Sequence, residues 1–181
     1  MTRWGHFLTS ASLAFAIYES AQTPENPLAQ IASVTSTLIS TDELYAPRTL
    51  GPFMCAAGVM VGSMLPDQLE FARYNNQERA SVIPHRTLTH WPLLWLAGLS
   101  LSAYGLLDWV GSWYIAAVFS LGLCLSALLH LALDFGSQSG IPLYHPAGRP
   151  TSLAIYATGA PSELMAIVVV SGVFIAIGVM L

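Results

Sequence analysis

Five long apolar runs divide this chain, at positions 4–19, 50–65, 91–107, 109–135 and 163–181. Between and within them, charge is scarce. Lysine is absent, and six arginines and ten acids supply every formal charge in 181 residues. That is 9 % of the chain, against about 25 % in a typical soluble domain. A soluble globule of this size cannot cover its surface with so few charges. An apolar content of 54 % excludes disorder. A net charge of −4 with no basic tract excludes a general nucleic-acid binder. The remaining solvent is lipid. Only helices and closed barrels satisfy their backbone there, and the runs lack the strict alternation of barrel strands. The expected fold is therefore all-α. It is a single integral membrane domain over residues 1–181, polytopic, with about five transmembrane helices. The runs 4–19 and 50–65 are short against the about 17–25 residues a span needs, the second ending before Pro66, and the number falls to four if the run 4–19 is re-entrant.

The connections differ in kind. Residues 20–49 are rich in Ser and Thr, and Leu28, Ile31, Val34, Leu38 and Ile39 fall on one helical face. A short helix lying on the membrane is expected there. Asp108 alone separates the third and fourth runs, which implies a tight antiparallel hairpin. Residues 136–161 carry Gly, Pro and Ser and read as an ordered loop. If every run spans, Arg3, Arg73, Arg79, Arg86 and Arg149 share one side and only Arg48 lies on the other. The acids split evenly, so the arginine bias alone sets orientation and makes the N-terminus cytoplasmic. Cys55 and Cys124 each sit inside an apolar run with no Cys-x-x-Cys spacing, and read as small buried hydrophobes.

All five histidines fall on that same inner side. His130 and Asp134 form His-x-x-x-Asp, one turn apart on one helical face and otherwise surrounded by apolar residues. Ionisable groups at the edge of a span are costly and mark function. Pro84-His85-Arg86-Thr87-Leu88-Thr89-His90 places two histidines on a loop entering the third run, with Thr89 as a candidate cap. Arg86 is equally a phosphate clamp or a positive-inside anchor. Asp67 follows the second run and is a candidate carboxylate ligand or a turn cap. Glu70 is a candidate general base or a solvated charge. His145 sits between prolines in Gly140-Ile141-Pro142-Leu143-Tyr144-His145-Pro146, held over a site or simply in a turn. His6 opens the first run. These groups supply nitrogen and oxygen ligands without sulfur. That favours a divalent metal, zinc first and then manganese or iron.

At these residues the chain resembles the YdjM-like family of bacterial inner-membrane proteins, described as metal-dependent hydrolases. The resemblance rests on His6, Leu65-Pro66-Asp67, His85-Arg86 with Thr89-His90, His130-x-x-x-Asp134, and Gly140-Ile141-Pro142-Leu143. The family is in turn distantly similar to zinc-dependent phospholipase C and related nucleases, which are all-helical. The resemblance implies His6, Asp67, His85, His130 and Asp134 as metal ligands, with His90 and His145 further candidates. Where the family reads Pro-Asp-x-Asp-His, this chain has Pro66-Asp67-Gln68-Leu69-Glu70, so ligands for a second metal are short.

The functional expectation is a membrane-embedded, metal-dependent hydrolase of phosphate esters at the cytoplasmic face of the bacterial inner membrane. Arg86 would bind phosphate and Glu70 would take a proton. Its partners would be membrane lipid and a lipid or lipid-linked phosphoester, because basic residues that track nucleic acid are missing. The alternative is a non-catalytic binding or regulatory membrane protein with a structural or relict metal site. A metal transporter is disfavoured, since no run carries an ionisable residue at its middle.

Overall fold

Glycine and proline decide where the helices pack and stop. The computed structural model describes residues 1–22, 50–71, 73–75, 78–80, 83, 86–108 and 112–180. Among them are six α-helices: α1 (Arg3–Gln22), α2 (Leu50–Gly62), α3 (Leu65–Gln68), α4 (Pro92–Asp108), α5 (Ser112–Gly136) and α6 (Pro161–Met180). A 3-10 turn, Leu88–His90, precedes α4. A two-stranded antiparallel ribbon pairs β1 (Arg73–Asn75) with β2 (Glu78–Ala80). The expected membrane-surface helix lies in residues 20–49, of which 23–49 fall outside the described residues.

Each apolar run becomes one helix, with ends shifted by no more than three residues. The second helix stops at Gly62 instead of Leu65. Pro66 is tolerated only in a first helical turn, so the chain turns at Ser63 and Met64 and starts α3. Of these helices, α5 and α6 are long and apolar enough to cross a membrane. The five expected spans therefore reduce to two that meet this requirement. At 13 residues α2 is too short, and α4 is marginal at 17. With 20 residues α1 is long enough, but Arg3, His6, Glu19 and Gln22 lower its hydropathy, and Thr9, Ser10, Ser12 and Ser20 add buried hydroxyls. The hydroxyls of Thr9 and Ser12 fold back onto carbonyls of their own helix. Ser126 of α5 donates to Ser10 of α1 at 2.9 Å.

Helices α2 and α5 meet at backbone distance. A Cβ on Gly58 or Gly62 would lie 2.0 or 2.2 Å from the carbonyl oxygens of Phe119 or Leu123, and one on Gly122 2.0 Å from that of Cys55. Gly58 and Gly62 form the small-xxx-small spacing that lets apolar helices approach this closely. Further packing joins α1 to α6, α4 to α5 and α1 to α2. Trp95, Cys124, Ala127, Leu131 and Ile141 form the main core. Both cysteines are free and buried. By contrast, the flank of α6 carrying Leu164, Met165, Val168, Val169 and Val173 is exposed. An apolar surface of that extent suits lipid and would be a liability in water.

The last loop closes one end of the bundle. Leu153 and Ile155 donate their N–H groups to the carbonyls of Phe135 and Gly136, which end α5. Thr151 and Ile141 exchange backbone hydrogen bonds. That close approach requires Gly140, whose φ is +67° and whose Cβ would sit 2.4 Å from the Thr151 oxygen.

Candidate metal centre

Four elements converge at this closed end. His6 comes from the first turns of α1, Asp67 from α3, His90 from the 3-10 turn, and His130 and Asp134 from the last turns of α5. All but Asp67 are nearly inaccessible, and the Asp67 side chain is 24 % exposed.

Two triads lie within ligand reach: His6, His130 and Asp134, and Asp67, His90 and His130. In the first, His6 Nε2 is 3.3 Å from Asp134 Oδ1, and His130 Nε2 is 3.7 Å from Asp134 Oδ2. In the second, Asp67 Oδ1 is 3.4 Å from His90 Nε2 and 3.9 Å from His130 Nε2. A tetrahedral metal with bonds of about 2.1 Å spaces its ligand atoms about 3.4 Å apart. The separations thus fit ligands around a common cation.

His130 supplies an independent test of that fit. Its Nδ1 lies 2.8 Å from the Ser63 carbonyl oxygen. A carbonyl only accepts, so Nδ1 carries the proton and the Nε2 lone pair points into the cluster. That Nε2 is buried and has no hydrogen-bond partner, which is costly unless a cation meets it. An imidazole oriented through its other nitrogen is the usual arrangement of a metal ligand. The ring also stacks on His6, with centroids 3.6 Å apart.

His90 is held from three sides. Trp95 Nε1 donates to the Thr89 carbonyl at 2.7 Å and ties the turn to α4. Thr89 Oγ1 and Glu70 Oε1 lie 3.2 and 3.4 Å from His90 Nδ1. Thr89, expected to cap the helix, instead contacts the ring beside it. Glu70 is fully buried behind His90 rather than solvated. Its Oε1 also accepts the backbone N–H of Arg86 at 2.9 Å, fixing that residue at a left-handed φ of 56°.

Arg86 faces Asp134. Its guanidinium donates to the Gly140 carbonyl at 2.7 Å and pairs with Asp134 Oδ2 at 3.2 Å. The α-amino group of Met1 lies 2.7 Å from Asp134 Oδ1. Tyr156 donates to the Leu133 carbonyl, and burial together with Asp134 and Glu163 pushes its hydroxyl pKa up. For Asp67, burial opposes ionisation, but the hydrogen bond from His90 and the two imidazoles outweigh it. Its carboxyl is held below the usual range.

Of the residues expected from the sequence, the structure brings together His6, Asp67, His90, His130 and Asp134, with Glu70 and Arg86 beside them. His145 stands apart. It is exposed, and its Nδ1 accepts the N–H of Ala147 at 3.1 Å. His85 lies outside the described residues. Two features were not picked out from the sequence. The Ser63 carbonyl had no signal, because any residue presents a carbonyl. Glu163 had one, an acid at the edge of the fifth run; it is buried and accepts the N–H groups of Thr2 and Gly159, each at 2.5 Å.

The family model described as YdjM inner membrane protein matches residues 1–180. No curated protein and no solved structure matches the chain.

Proposed function

The chain belongs to the YdjM inner membrane protein family, and from that premise we propose a metal-dependent hydrolase of phosphate esters. It works as a multi-pass protein with its N-terminus and its site at the cytoplasmic face. Zinc is the first-choice metal. The observation that carries the reading is the buried, unpartnered Nε2 of His130, aimed at Asp67 and Asp134 with its tautomer set by Ser63. A divalent ion bound there supplies a Lewis acid and a water acidic enough to attack near neutral pH.

The chain's own groups divide the remaining work. Asp67, the most exposed of the cluster, marks where substrate enters. Arg86 spends two donors on Gly140 and Asp134 and keeps others for a phosphate oxygen. Glu70 orients His90 rather than receiving the proton of the reaction, because it lies behind that ring. The exposed apolar flank of α6 favours a lipid or lipid-linked phosphoester over a soluble one. The arginine bias supports the cytoplasmic assignment.

The test is zinc content and release of inorganic phosphate, from phosphatidic acid in mixed micelles and from p-nitrophenyl phosphate. The wild type should hold zinc and prefer the lipid, and His130→Ala should do neither. Absence of metal from both proteins ends the reading. Compensation of Asp134 by Arg86 favours a second reading, a non-catalytic regulatory protein with a structural metal. It predicts bound zinc and no hydrolysis of either ester.

A further inference from the structure

We propose that the cluster holds a single divalent cation, ligated by Asp67, His90 and His130, with His6 and Asp134 outside the ligand set. This rests on the metal-dependent reading above and specifies which groups bind.

Both triads need His130. Its Nδ1 is committed to the Ser63 carbonyl, so Nε2 is its one donor toward a metal. One lone pair serves one ion, and the two triads cannot be filled together.

Electrostatics selects the triad. Asp134 already faces two cationic groups, the α-amino group of Met1 at 2.7 Å and Arg86 at 3.2 Å. A metal bonded to Asp134 would meet both at close range and be repelled. Among the described residues no arginine or amino group pairs with Asp67. Its partial exposure also leaves an open coordination position, as catalytic sites with three protein ligands require. His6 and Asp134 then form a wall behind the ligands, His6 stacked on His130 and Asp134 balancing Arg86.

The experiment is zinc stoichiometry by elemental analysis, and zinc affinity by competition with a chromogenic chelator. It uses the full chain in detergent, as wild type, Asp67→Asn, His130→Ala and His6→Gln. Unfolding of each apoprotein is followed in parallel, so that a misfolded variant is recognised. Wild type and His6→Gln should each hold about one zinc per chain, His6→Gln with affinity reduced no more than about 100-fold, the range for groups behind the ligands. Folded Asp67→Asn should lose affinity beyond that range, and so should His130→Ala. Two zinc ions per wild-type chain would overturn the assignment. So would zinc lost from folded His6→Gln but kept by Asp67→Asn. Either result leaves the metal-dependent reading standing, whereas a wild type without zinc removes both.

Discussion

The two triads share His130 yet differ in what has been done with their carboxylates. Asp134 is sealed from solvent and surrounded by donors: the α-amino group of Met1, His6 and Arg86. Asp67 is partly exposed; it faces the imidazoles of His90 and His130, as Asp134 also does at 3.7 Å, but no arginine or amino group among the described residues. One carboxylate is spent on holding the helix ends together, and the other is available. Proximity of His and Asp side chains is thus a weak guide to which of them bind a metal. The charges already opposite each carboxylate separate the two roles.

The difference can be attacked directly. Arg86→Met strips Asp134 of its guanidinium and leaves a buried carboxylate short of a partner. A broken buried pair costs about 3–5 kcal/mol, so the apoprotein should lose that much in a denaturant titration. A loss below about 1 kcal/mol, the worth of an exposed pair, would mean that Asp134 is not the structural member. Gly122→Ala is expected to have the next largest effect. Its Cβ would meet the Cys55 carbonyl at 2.0 Å, and overpacking typically costs about 1–3 kcal/mol. Because Asp67 follows α2 and His130 lies on α5, prising those helices apart should weaken zinc binding as well. Unchanged affinity in a folded Gly122→Ala protein would sever Asp67 from the site.

The smallest effect is in acid. The Asp67 carboxyl is held below its usual range in the folded chain, while the unfolded chain titrates near the ordinary value of about 3.9. The unfolded state therefore takes up the proton first. The contribution of Asp67 is complete above about pH 5 and fades as pH falls toward its folded pKa. Apoprotein stability measured from pH 6 to 3 should decline in the wild type and decline less in Asp67→Asn. Parallel curves would show that Asp67 does not interact with the two imidazoles in solution.

Much of this was legible beforehand, for identifiable reasons. Apolar runs report helices because lipid and protein interiors impose the same demand on the backbone. His130-x-x-x-Asp134 reports one helical face because the α-helical repeat is local. Pro66 already marked the end of α2, although its effect starts at Gly62. Other features depend on distant partners. The short helices α2 and α4 look like spans when apolar character alone is read; their lengths of 13 and 17 residues set them apart from α5 and α6. Gly58 and Gly62 were visible as residues, but their spacing acquires meaning only once Gly122 is opposite. His145 looked as suitable as His90, since a histidine beside prolines says nothing about the direction of the loop.

The sequence by itself determined the helical, lipid-adapted character of this chain and assembled its ionisable groups at one set of helix ends. Both follow from local pattern and from the cost of charge in an apolar medium. Tertiary structure alone decided that His130 presents Nε2, that Arg86 is spent on Asp134, and that Asp67 is left facing imidazoles. Those outcomes depend on distances of 3 to 4 Å between residues up to 67 positions apart, and no local pattern encodes a distance of that kind.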